Sequence, residues 1–133
     1  MTASSTARLL TSAALVCLLE AAALVALAVV ELANLATGRL VVGVTTTIFF
    51  LGYALGLAVA AWGLSRARSW ARAPLMLAEL IQLGVSWSFH GPDTEWIAAL
   101  LAVSAGFVIV VLLLPSTTVA LYGAQGRDDA SVP

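Results

Sequence analysis

Lysine is absent from this chain, and cysteine and histidine occur once each, as Cys17 and His90. One thiol makes no intrachain disulfide and cannot cycle between dithiol and disulfide, which excludes thiol-oxidoreductase chemistry. One histidine holds neither a bis-histidine haem nor a histidine-rich metal site. Set in His90-Gly91-Pro92-Asp93, it reads as an ordinary turn residue. Charge of either sign is scarce: only 10% of residues are charged and the net charge is −1. No basic field exists to hold nucleic acid. The chain also lacks a Gly-rich phosphate loop, a Ser or Cys nucleophile beside a base, and a cluster of outward carboxylates. No enzyme, cofactor or metal is expected.

Apolar length is what the chain has instead. Of its 133 residues, 62% are hydrophobic, against roughly half in an average soluble domain. The excess is gathered into runs at about residues 9–32, 40–64, 74–89 and 96–114, lengths that read as membrane spans rather than amphipathic stripes. Arg8 followed by an apolar run resembles a signal peptide. The run is too long, however, and no small-x-small site leads into a soluble domain, so it is read as an uncleaved first span. The expected fold is all-α: a polytopic four-helix transmembrane bundle at 9–115, a flexible N-terminus at 1–8, an interfacial segment at 116–125 and a disordered tail at 126–133.

Four spans put both termini on one side with the loop between spans two and three. That side holds Arg8, Arg66, Arg68, Arg72 and Arg127, and the other only Arg39. In short loops this is a positive-inside signal for a plasma-membrane protein with both termini cytoplasmic. Trp62 and Trp70 then lie toward the cytoplasm and Trp87 and Trp96 toward the outside, as an aromatic belt requires. Loops this short hold no domain, so function lies between helices or at their ends.

Polar residues inside the runs therefore draw attention, and Glu20 first among them. At about 1.5 Å per residue it stands roughly 18 Å above Arg8, near mid-bilayer, where a carboxylate must be paired, protonated or turned from lipid. Residues eleven apart differ by only about 20° around a helix, so Glu31 shares its face, with Cys17 at the edge of the stripe. On the third span Glu79, Gln82 and Ser86 follow i, i+3, i+7 spacing, with Arg72 and His90 continuing the stripe at its two ends. Gln82 stands about 15 Å above Arg72, level with Glu20, and is its expected partner. Glu79 is lower, where Arg72 and Arg8 are expected to reach toward it.

Glu20, Glu79, Gln82 and Ser86 thus form a candidate intramembrane polar site between helices one and three. A carboxyl in low dielectric can exchange a proton for a cationic ligand near neutral pH, which would suit a proton-coupled cation or small-molecule transporter. The structural reading is a hydrogen bond joining two helices, worth about 1–2 kcal/mol or less. Glu31, Asp93 and Glu95 read as solvated interface charges. Gly52-x-x-x-Gly56-x-x-x-Ala60 and Ala98-x-x-x-Ala102-x-x-x-Gly106 are small-residue grooves suited to close helix packing, expected within the chain.

A glutamate in the first of four spans resembles the small multidrug resistance exporters, which carry an essential first-span glutamate and work as antiparallel dimers. The arginine distribution, which favours one orientation, departs from that pattern. The stretches Arg39-Leu40-Val41-Val42-Gly43-Val44-Thr45-Thr46, Arg68-Ser69-Trp70-Ala71-Arg72-Ala73-Pro74 and Glu79-Leu80-Ile81-Gln82-Leu83-Gly84-Val85-Ser86-Trp87-Ser88-Phe89 more closely resemble a set of uncharacterised actinobacterial four-span proteins. That resemblance implies a small non-enzymatic membrane protein, an accessory subunit or oligomeric component. Its partners would be the bilayer and either a second copy or a larger membrane protein, and no nucleic acid.

Overall fold

The computed structural model describes residues 2–35, 37–89 and 91–123. Five α-helices dominate them: α1 (Ala3–Ala33), α2 (Leu40–Ser65), α3 (Arg72–Ser88), α4 (Glu95–Leu113) and α5 (Pro115–Tyr122), with 3-10 turns at Thr37–Arg39 and Ser69–Ala71. No strand occurs among the described residues. The helices α1, α2 and α4 are each long and apolar enough to cross a membrane. With 17 residues, α3 spans about 26 Å, somewhat short of a typical hydrocarbon core of about 30 Å.

Local chemistry sets the helix ends. Thr2 caps α1 by accepting from the Ser5 N–H, so residues 3–8, expected to be flexible, are helical. Asn34 closes α1, its side-chain amide donating to the Val30 carbonyl at 2.7 Å. After α2 the chain turns through Ala67 at φ 51°. The Ala67 N–H bonds the Leu64 carbonyl and the Arg68 N–H bonds the Gly63 carbonyl, both at 2.9 Å. This is a Schellman termination with alanine where glycine is usual. Gly63 is required by a close approach: a Cβ there would sit 2.6 Å from the Trp70 ring.

At α4 no side-chain cap forms. Thr94 occupies the N-cap position, but its hydroxyl donates to the Phe89 carbonyl and makes no cap bond to α4. Leu114 is extended, as a residue before proline prefers, and Pro115 opens α5 where its missing N–H costs nothing. α5 packs back onto α1 and α4, burying Thr117 and Leu121. His90, residues 124–125 of the interfacial segment and the 126–133 tail lie outside the described residues.

α1 pairs closely with α2 and α3 with α4, while weaker contacts join α1 to α4 and α2 to α3. The result is a ring in which α1 and α3 face each other across the centre. Small side chains make the α1–α2 pairing close: Ala13, Ala14, Cys17, Ala21 and Ala28 are buried on α1, and Gly43, Thr47, Ala54 and Ala61 on α2. The core continues through Leu64, Leu75, Val108, Val111 and Leu112.

The small-residue grooves are not where close packing occurs. Between Gly43 and Ala61 the buried positions of α2 lie on an arc from Thr47 past Ala54 and Leu57 to Ala60, about 140° around the helix. Gly52 and Gly56 lie outside that arc and are exposed, and a methyl group added to either would meet no atom within 4 Å. Ala60 alone of that motif is buried. On α4, Ala98 is buried but Ala102 and Gly106 are only half-buried, the core side following Ala105, Val108 and Leu112 instead.

Candidate functional site

The diagonal placement of α1 and α3 decides what their polar stripes meet. Depth along the helices pairs Glu20 with Gln82, and the two are joined: Gln82 Nε2 donates to Glu20 Oε1 at 2.7 Å. The same nitrogen lies 2.8 Å from Ser104 Oγ and 3.3 Å from the Leu101 carbonyl, so its two N–H groups serve three acceptors. The Ser104 hydroxyl also donates to the Leu101 carbonyl. Gln82 therefore ties α1, α3 and α4 together at mid-bundle.

Glu79 departs from expectation. Rather than meeting Arg72 and Arg8, it is turned inward, only 1% exposed, and accepts from the Cys17 thiol at 3.5 Å through Oε1. Arg72 instead places its guanidinium 5.8 Å from the Tyr122 ring centre, and Arg66 lies 4.6 Å from that of Trp62. The reason is rotational: Glu79 faces the bundle axis, where the Cys17–Ala21 stretch of α1 offers small side chains and room for a carboxyl. From α2, half-buried Tyr53 donates its hydroxyl to the carbonyl of Ala78, the residue before Glu79. Ser86 shares the stripe but takes no part, its hydroxyl donating to Leu83 within its own helix.

Cys17, Glu20 and Glu79 converge as a result, with one ligand-type atom from each within 4.8 Å of the others. Glu20 Oε2 and Glu79 Oε2 are buried and are met by no hydrogen-bond donor among the described residues. With both carboxyls ionised, negative charges within 4.8 Å of each other repel by roughly 3.5 kcal/mol or more at an effective dielectric of about 20, a repulsion that a shared proton or a bound cation removes. The arrangement is one that a positive charge stabilises.

Sequence reasoning found Glu20, Gln82 and Glu79, but placed Cys17 at the margin and missed Ser104, Leu101 and Tyr53. Pattern scanning had no purchase on the cluster, because its two halves are 62 residues apart in the chain. Of the topology residues, Arg66, Arg68 and Arg72 all sit around the α2–α3 connection. No family model, curated protein or solved structure matches this chain.

Proposed function

We propose that the four long helices all cross the bilayer with both termini cytoplasmic, and that the protein handles a cation in the cluster of Cys17, Glu20 and Glu79. Three helices of sufficient length and the arginines gathered at residues 66–72 support the topology. α3 reaches across by tilting little and thinning the bilayer locally, at a modest cost per Å of mismatch. Trp62 and Trp70 near one end of the bundle and Trp87 and Trp96 near the other are all exposed, as interfacial anchors are.

One observation carries the cation reading. A helix clamp needs a single satisfied hydrogen bond, which Glu20 and Gln82 supply between them. Glu79 adds a second carboxyl beside the first and leaves an oxygen of each without a partner. Buried ionisable groups of this kind are costly in a membrane and mark ion or substrate pathways. The reading is tested in proteoliposomes by uptake of rubidium, tetraphenylphosphonium and cadmium ions down a gradient. Uptake of at least one of them is expected above protein-free vesicles, falling to that baseline in Glu20→Ala and Glu79→Gln. Uptake equal to protein-free vesicles for all three rejects it.

A second reading has its own observation. The exposed Gly52–Gly56 face, beside Tyr53, Leu57, Pro74 and Ala78, forms a shallow groove of about 250 Å³. Small residues left open to lipid suit a helix from another chain, as an accessory subunit or oligomer would present. Chemical crosslinking in native membranes, with and without Gly56→Leu, tests it.

A further inference from the structure

We propose that Cys17, Glu20 and Glu79 form a binding site for a thiophilic divalent transition metal of the zinc class. This rests on the reading of the cluster as a cation site and narrows it to one kind of ion.

The donor set makes the first selection. Cys17, which gives up its proton to solvent on metal binding, and two carboxylates match the ligands that zinc and its neighbours accept, whereas calcium takes six to eight oxygens and magnesium keeps several waters. The two carboxylates offer four oxygens, short of what calcium takes, and a sulfur donor is a poor ligand for magnesium. Geometry makes the second. Bonds of about 2.0–2.3 Å around a tetrahedral ion place donor atoms roughly 3.3–3.8 Å apart. Cys17 Sγ and Glu79 Oε1 are already 3.5 Å apart, and the whole set lies within 4.8 Å. Closing on an ion takes about 1 Å of side-chain movement, which needs no backbone shift.

Glu79 Oε2, on a side chain only 1% exposed, is met by no donor among the described residues, and that is the independent sign of a ligand. Such an atom is costly to bury unless something meets it. Charge makes the third selection. With Cys17 deprotonated on binding, a divalent ion leaves one net negative charge on the three donors where a monovalent ion leaves two in a low-dielectric interior. Gln82 plays the outer role: its N–H holds Glu20 Oε1, and Ser104 and the Leu101 carbonyl hold Gln82. Partners of this kind orient metal ligands and are worth about tenfold to a hundredfold in affinity. Three protein donors leave a fourth position open, the pattern of an exchangeable rather than a structural ion.

The experiment uses the full chain in lipid nanodiscs, titrated with cobalt(II) as a spectroscopic probe. Saturation at one ion per chain is expected, with a near-ultraviolet sulfur-to-cobalt charge-transfer band that zinc displaces and excess calcium or magnesium does not. Cys17→Ser removes the band, and Glu20→Gln, Glu79→Gln and Gln82→Leu each weaken cobalt binding by about tenfold or more. Because Cys17→Ser risks misfolding, zinc protection of Cys17 from a membrane-permeant thiol reagent is measured in the unsubstituted protein as well. Absence of both the band and the protection overturns the metal assignment, as does a band unchanged by Glu79→Gln. If the assignment fails while rubidium or tetraphenylphosphonium uptake still depends on Glu20 and Glu79, the cation site stands with a different occupant. If uptake of all three ions is also absent, both readings fall.

Discussion

Replacing Gln82 by leucine removes the donor that links α3 to α1 and to α4 in one step. The contact to Glu20 is 2.7 Å and that to Ser104 2.8 Å, with the Leu101 carbonyl a third acceptor. Side-chain hydrogen bonds between membrane helices average about 0.6 kcal/mol and reach about 1.7. Loss of the two short contacts therefore costs about 1–2 kcal/mol. Glu20→Leu should cost less, because Gln82 keeps Ser104 and Leu101. The quantity that isolates the α1–α3 contact is the coupling in a double-mutant cycle, expected at about 0.6–1.7 kcal/mol. Reversible unfolding in mixed micelles of increasing SDS content, followed by far-ultraviolet circular dichroism, measures all four proteins. Distant sites add to within about 0.3–0.5 kcal/mol. A coupling inside that margin would falsify the view that this pair holds the diagonal helices together.

Three further outcomes follow from the backbone and the surface. Ala67→Gly should raise stability by about 0.5–1 kcal/mol in the same assay, because Ala67 holds φ 51°, a left-handed conformation that costs alanine more than glycine. Gly63→Ala should lower it by about 1–3 kcal/mol, since the added Cβ falls 2.6 Å from Trp70, and should shift Trp70 fluorescence in a background lacking the other tryptophans. Gly56→Leu should leave monomer stability within about 0.5 kcal/mol, because nothing lies within 4 Å of its Cβ position; a large loss of stability would mean the face is packed within the chain.

How far the sequence could be read depended on which physical signal each residue carried. The Glu20–Gln82 contact was legible because rise per residue, counted from Arg8 on α1 and Arg72 on α3, places both at one height. Its neighbour was not. Glu79 stands near Cys17 in height too, but nearby arginines drew the expected pairing outward, and only the diagonal arrangement shows it turning inward. Ser104 was illegible because no periodicity marks the inward face of α4, which is apolar all round. The same uniformity misled the reading of Gly52 and Gly56. When every face is hydrophobic, small-residue spacing says that close approach is available, not which neighbour takes it. The helical start at Thr2 turned on a cap hydrogen bond that the small polar composition of the N-terminus concealed.

The split of the cluster between α1 and α3 bears on how the chain is assembled. Each hairpin carries half of it: Cys17 and Glu20 arrive with α1–α2, and Glu79 and Gln82 with α3–α4. Gln82 keeps Ser104 and Leu101 within its own hairpin, but Glu20 and Glu79 meet their donors only across the bundle, so a hairpin taken alone leaves its carboxyl without one. Docking the second hairpin gives one oxygen of each carboxyl a donor. These contacts therefore favour the one docking of the two hairpins that brings both halves of the cluster together.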